Sequence, residues 1–257
     1  MQDPDLELLI KAAQTSGEIA TGFAMDSLKK WDKDEGAGPV TEADLAVNAY
    51  LEDTLRTARP DYGWLSEETE DTEARLTKKR AFIVDPIDGT RSFIEGSTTW
   101  AHSYAIVEDG APVAAVVYLP LRQKLYAAAK GQGATLNGAP LRISSNTEYD
   151  SLEVLATKPV FEAKNWKAGA PQLKRAHRPS LAYRLALVAE GRFDAMITLR
   201  RSWEWDIAAG ALLLSEAGAK VSDRHGVPLT FNKADPASQG VLAASPEMHA
   251  KLLSALA

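Results

Sequence analysis

Cysteine is absent from all 257 residues, which excludes thiolate metal sites, cysteine nucleophiles and disulfide frameworks while permitting a reducing compartment. The four histidines, His102, His177, His225 and His249, show none of the close spacing of imidazole metal sites. No segment approaches the ~18 uninterrupted apolar residues of a membrane span. The opening "MQDPD" lacks the basic start and apolar centre of a secretory signal, so a cytoplasmic protein with no membrane partner is expected. Basic excess is missing too. A formal charge of −6 argues against a protein whose affinity comes from nucleic-acid phosphates, and a small anionic substrate would need a local reversal of sign. Repeats, low-complexity tracts and a Pro/Gly-rich linker are also lacking. What remains is 45% hydrophobic content, enough for one large core or two modest lobes.

Leu9, Ala12, Ala13, Ile19, Ala20, Phe23 and Ala24 recur at helical spacing, so residues 5–31 read as one or two amphipathic helices, weakened by Gly17 and Gly22. The polar, glycine-bearing "KKWDKDEGAGPVT" suits a loop. From Thr41, an N-cap residue, helical periodicity runs through Leu45, Tyr50, Leu51 and Leu55 to a stop at Pro60. Short strand-like runs follow at hairpin intervals ("YGWLSEE", "RAFIVD", "WAHSYAIVED", "PVAAVVYLP", "KLYAAAKG"), which predicts a largely antiparallel sheet. Strands then alternate with helices ("SLEVLAT", "SLAYRLALVAEG", "FDAMITL", "WDIAAGALLLSEAG", "GVLAAS", "PEMHAKLLSAL"). The change divides the chain into an α+β lobe over 1–148 and an α/β lobe over 149–257.

The stretch "FIVDPIDGTRSF" runs an apolar strand into Asp85 and Asp88 around Pro86, which fixes a turn that points both carboxylates to one side. Two such carboxylates repel unless one is protonated or a cation sits between them. Mg2+ prefers oxygen ligands and suits an Asp-rich turn. Gly89 lets the backbone approach a ligand, Thr90 can cap a following helix, and the free amides of that helix would favour an anion beside the metal. Read singly, each acidic stretch has an ordinary alternative. "DPIDGT" also reads as a capped turn, Glu67 and Glu68 in "WLSEE" as an exposed pair, Asp44 as a favourable charge in a helix's first turn, and Asp206 in "WEWDIAAG" as an N-cap.

The order Asp44, Glu67-Glu68, Asp85-Pro-Ile-Asp88-Gly-Thr90, then Trp205-Asp206-Ile-Ala-Ala-Gly210 with "SEAGAK" after it, resembles the inositol monophosphatase superfamily of Mg2+-dependent, lithium-sensitive phosphatases. The resemblance covers the chain from about Val40 to Gly218. It implies a layered α-β-α-β-α fold of the sugar-phosphatase type, two or three Mg2+ ions per site, a small phosphorylated substrate and a homodimer. Residue by residue, it implies that Glu67, Asp85 and the Ile87 carbonyl hold one ion, that Asp85, Asp88 and Asp206 hold a second, and that a third shares Glu67. Thr90 paired with Asp44 would orient the attacking water, Glu67 would join them in catalysis, and the amides of Gly89 and Thr90 would hold phosphate.

Family members acting on inositol phosphates usually carry an uncharged residue after "DGT" and a carboxylate seven residues before the last metal aspartate, where this chain has Arg91 and Leu199. "DGTRSFI" and "EWDIAAG" look more like the 3'(2'),5'-bisphosphate nucleotidases. Arg91, Arg184 and Arg200 then become substrate-binding candidates, because arginine suits bidentate contact with a second phosphate. The expected reaction is hydrolysis of adenosine 3',5'-bisphosphate to AMP. Inositol-1-monophosphatase is the alternative, followed by a histidinol-phosphate phosphatase, suggested by "DGTRSFIEG" and Trp100, and a non-catalytic role in RNA metabolism or transcription. Arg184 also reads as a partner of Glu190, Arg200 and Arg201 as solvated surface charge, and Trp64, Trp203 and Trp205 as core or rim packing.

Overall fold

The computed structural model describes residues 3–33 and 38–257. Helix α1 (Pro4–Thr21) starts on Asp3, whose carboxylate accepts the amides of Asp5 and Leu6, and ends at Gly22. Gly17 lies inside it because a Cβ there would sit 2.8 Å from the Tyr118 ring, so the helix can approach the sheet closely. The segment expected to be a loop instead contains a short hairpin, β1 (Lys30–Asp32) paired antiparallel with β2 (Pro39–Thr41); residues 34–37 of that expectation lie outside the described residues. Helix α2 (Glu42–Ala58) follows, with Thr41 and Asp44 forming a reciprocal capping box.

The first sheet runs in the order β3 (Gly63–Ser66), β4 (Arg80–Asp88), β5 (Ala101–Glu108), β6 (Ala111–Leu119), β7 (Lys124–Ala129), β8 (Ala134–Leu136), β9 (Ala139–Pro140). Only the β3–β4 pair is parallel. The helix α3 (Thr90–Ile94) interrupts the passage from β4 to β5. The second sheet is built from β10 (Glu153–Ala156), β11 (Lys174–Ala176), β12 (Ala195–Trp203), β13 (Lys220–Ser222) and β14 (Ala237–Ala244), in the order β11-β10-β12-β14-β13. Helices α4 (Leu181–Ala189), α5 (Glu204–Glu216) and α6 (Pro246–Ala255) complete the chain.

The period-two alternation of the strands decides the layers. Phe82, Val84, Tyr104 and Val116 face α1 and α2, while Ile83, Ala105, Val117 and Tyr126 face α4 and α5. Those two helices are apolar nearly all round because the other side of the layer meets Met196, Val241 and Ala243 of the second sheet. Ile197, Leu242 and Ala244 turn outward to Met248 and Leu252 of α6. The result is the expected helix-sheet-helix-sheet-helix stack. Its middle layer depends on Gly210, where a Cβ would lie 2.5 Å from Leu185 across the α4–α5 contact.

Candidate metal and phosphate site

A regular strand would put Asp85 and Asp88 on opposite faces, since they are three residues apart. The β4–β5 register prevents this. Asp85 pairs with Ser103 and Asp88 with Ala101, so Pro86 and Ile87 together oppose His102 alone. This one-residue bulge brings Asp88 back to the side that carries Asp85. The buried His102 ring donates from Nδ1 to the Pro86 carbonyl at 2.5 Å, tying down the bulged backbone. Burial, only partly offset by that bond, pushes its pKa down to about 4 and keeps the ring neutral. Gly89 then takes a left-handed conformation (φ +98°) as N-cap of α3, so the capping position is Gly89 rather than Thr90.

Glu67 arrives from the end of β3, where its amide donates to the Val84 carbonyl at 3.3 Å. Asp206 arrives from the first turn of α5, whose N-cap is Trp203, so Asp206 does not cap the helix. Carboxylate oxygens of Glu67, Asp85 and Asp206 lie within 4.8 Å of one another. Burial and then the charges of Glu67, Asp88 and Asp206 push Asp85 well above the carboxylate range. Asp206 rises for the same reasons, burial first and then Asp88 and Glu67. Asp88 lines the same cavity, but its Oδ2 accepts from Ser180 Oγ and the Ala182 amide, both at 2.6 Å. Ser180 is also the N-cap of α4, so one hydroxyl starts that helix and anchors the aspartate.

Lys33, a residue that sequence reasoning missed, donates from Nζ to Glu67 at 2.8 Å and Glu68 at 2.7 Å. Burial disfavours its charge, yet the two glutamates prevail and hold its pKa up at about 12. Glu68 is pushed up to about 7 by burial and by Glu67, with Lys33 offsetting only part of the rise. The hairpin β1–β2 brings this lysine across, and nothing in "KKWDKDEG" distinguishes it from its neighbours.

Asp44 both caps its helix and meets Thr90. Its Oδ2 accepts from the Thr41 amide at 2.8 Å and Oγ1 at 2.5 Å, which caps α2, while Oδ1 accepts from Thr90 Oγ1 at 3.1 Å. The Thr90 hydroxyl also lies 3.1 Å from the Ile87 carbonyl. Burial raises the Asp44 pKa, opposed by the hydrogen bonds from Thr41 and Thr90.

These groups open on a cavity of about 710 Å3. Arg91, Arg184, Arg200 and Arg201 line it with His177, Trp203 and Trp205. Arg184 is buried and does not pair with Glu190, which instead accepts from Lys124 and Tyr126. Its guanidinium donates to the carbonyls of Arg178 (2.5 Å) and Pro179 (3.0 Å), so it holds the turn leading into Ser180. Burial lowers its pKa to about 10, with Asp88 resisting and Arg200 adding to the fall. Trp203 and Trp205 stack with centroids 4.9 Å apart, whereas Trp64 packs against Phe82 and does not line this cavity.

A donor set of converging carboxylates, with Asp85 and Asp206 raised by burial and by neighbouring charge and no imidazole among them, fits a hard divalent cation. Layered sheets and helices that bring such a set to a strand end, beside a glycine-opened helix start, define a class of metal-dependent phosphatase-like proteins. The chain belongs to the inositol monophosphatase family, whose profile matches residues 1–257. It is 34% identical over 248 residues to "Nus factor SuhB" of Escherichia coli, covering 89% of this chain and 90% of the relative. It is 30% identical over 251 residues to "Inositol-1-monophosphatase" of Bacillus subtilis, covering 95% and 92%. Among solved structures, Thermotoga maritima IMPase superposes with a TM-score of 0.84 at 27% identity, covering 98% of this chain and 96% of the other. These relatives carry SuhB and inositol monophosphatase names, so the bisphosphate-nucleotidase branch suggested by the arginines finds no support among them.

Proposed function

We propose that the protein is a Mg2+-dependent phosphomonoesterase that hydrolyses a small phosphate ester with an activated water. The observation that carries this reading is the meeting of Glu67, Asp85 and Asp206 within 4.8 Å, in the cavity that Thr90 also lines. Glu67, Asp85, Asp88, Asp206 and the Ile87 carbonyl would hold Mg2+, which when bound supplies charge neutralisation at the phosphoryl oxygens and a more acidic water. The protein's own groups do the rest. Gly89 leaves the start of α3 open to the phosphoryl group. A water against Thr90 Oγ1 gives its proton to that hydroxyl as Thr90 passes its own to Asp44 Oδ1, which burial has made a better base. The water oxygen bonds to phosphorus, the ester P–O bond breaks, and the departing alkoxide gains a proton from solvent.

For the alcohol, the Bacillus subtilis relative's name supports inositol 1-phosphate. A 3',5'-bisphosphate nucleotide is the second reading, favoured by the arginines on the cavity wall. The SuhB relatives are called Nus factors, which sets a regulatory role beside catalysis; the convergence of Glu67, Asp85 and Asp206 favours catalysis here. The test is phosphate release from inositol 1-phosphate, adenosine 3',5'-bisphosphate and histidinol phosphate at equal Mg2+, with wild type and Asp88→Asn. Mg2+-dependent release that Asp88→Asn abolishes supports the mechanism; equal release by both proteins removes it.

A further inference from the structure

Strand β12 contains a second one-residue irregularity. Thr198 pairs with Val241 and Arg201 with Gln239, so Leu199 and Arg200 together oppose Gly240 alone. Gly240 sits at φ +78°, and a Cβ there would lie 2.5 Å from the Thr198 carbonyl and 3.2 Å from Leu199 Cα. This bulge therefore requires glycine opposite it. Its backbone is also secured: Arg224 donates to the Leu199 carbonyl at 3.1 Å and Ser202 to the Arg200 carbonyl at 3.3 Å.

The bulge decides where two adjacent arginines go. Leu199 packs into the outer core, and the next two residues both line the cavity, which strict alternation along a strand would forbid. Arg201 is already engaged, paired with Asp235 and lying 4.0 Å over the Trp203 ring. Arg200 has no hydrogen-bond or ion-pair partner for its guanidinium among the described residues. It lines the same cavity as Asp206 of the acidic cluster and as Arg184 and His177. The only carboxylates lining the cavity among the described residues are Glu67, Asp85, Asp88 and Asp206. In the proposed site all four are taken up as cation ligands, which leaves no further carboxylate among the described residues to accept from the hydroxyls of a polyol.

We propose that Arg200, presented by this bulge, is the specificity-determining residue of the site and binds a second anionic group, phosphate or carboxylate, on the alcohol of the phosphomonoester. The inference rests on the phosphomonoesterase reading. An arginine that instead touched the reacting phosphoryl group would serve every ester alike, and this difference is measurable.

The experiment compares kcat/KM for glycerol 2-phosphate, whose alcohol is neutral, with 3-phosphoglycerate and adenosine 3',5'-bisphosphate, in wild type, Arg200→Gln and Arg200→Lys. The ratio of second-anion to neutral ester should fall about 10- to 100-fold in Arg200→Gln, as expected for a lost charge-assisted hydrogen bond, and recover in part in Arg200→Lys. Loss on only one of the two anionic esters identifies which anion is meant. A ratio that stays constant, whether both ester classes suffer equally or neither does, overturns the proposal. If wild type releases phosphate from none of these, the phosphomonoesterase reading fails separately. Titration calorimetry of the Mg2+-loaded protein with the two anionic esters then decides: about tenfold weaker binding in Arg200→Gln supports the proposal, and equal or absent binding overturns it.

Discussion

Replacing Asp85 by asparagine should stabilise the protein in chelator and remove its response to Mg2+. Asp85 is 1% exposed and shares a 4.8 Å cluster with Glu67 and Asp206. Two unit charges at 4.8 Å repel by about 3.5 kcal/mol at an effective dielectric of about 20. Lys33 offsets part of the Glu67 charge and protonation relieves more, so the repulsion removed by Asp85→Asn is about 1–3 kcal/mol, or about 2–6 °C in Tm for a chain of this size. Asparagine keeps the oxygen that accepts the Ile87 amide at 2.9 Å, so the turn itself survives. The sign with pH follows from the raised pKa. Folded Asp85 retains a proton at pH values where the unfolded chain has lost it, so metal-free stability falls as pH rises above about 4, and the asparagine variant flattens that slope. In wild type, Mg2+ at about 100 times its dissociation constant should restore about 2.7 kcal/mol. Differential scanning fluorimetry with EDTA and with Mg2+, across pH, measures all of this. An asparagine variant that melts lower than wild type in EDTA, or that gains as much from Mg2+, would refute the idea of a repelling, cation-seeking cluster.

Thr90→Val should lower Mg2+-dependent phosphate release by about 100-fold or more, with Thr90→Ser restoring most of it, because the hydroxyl linking Asp44 and Ile87 is the one proposed to take the proton of the water; steady-state kinetics check this. Arg75→Ala should destabilise by about 3–5 kcal/mol in urea unfolding, since Arg75 is buried, pairs with Asp71 through two nitrogens and also donates to Asn232 and the Lys233 carbonyl. Glu204 is fully buried and pushed up to about 7 by burial, despite the amides of Asn232 and Lys233 that it accepts, so it contributes a loss of stability as pH rises from about 4.5 to 7. Glu204→Gln should flatten that part of the Tm-against-pH curve. Gly210→Ala forces a contact of 2.5 Å on Leu185 and should cost about 1–3 kcal/mol, read as a lower midpoint with an unchanged m-value.

The elements and the acidic stretches were legible because both are local properties. Periodicity along "TEADLAVNAYLEDTLRTA" depends on one segment, and so do the N-cap at Thr41 and the run of apolar residues into Asp85. Partnerships across the chain were not. Arg184 reads as a substrate-binding candidate or a partner of Glu190, but a helical wheel does not reveal that carbonyls at 178 and 179 would take its guanidinium, or that Lys124 would claim Glu190. Lys33 gained its role through a hairpin whose strands are three residues each. The grip of Ser180 on Asp88 spans 92 residues.

Of the two bulges, the first is signalled locally by Pro86, while nothing within β12 signals the second. Alternation along β4 alone separates Asp85 from Asp88, and alternation along β12 alone separates Arg200 from Arg201. Each pair is reunited only because the partner strand offers one residue against two: His102 on β5, Gly240 on β14. The counterpart differs for a physical reason. His102 secures the first bulge with a side-chain donor to a carbonyl, whereas at Gly240 the carbonyl of Thr198 comes so close that no side chain fits. Substituting His102 should therefore loosen the Asp85–Asp88 turn while leaving its direction intact, but any residue larger than glycine at 240 must push the β12 bulge out of place, and Arg200 with it.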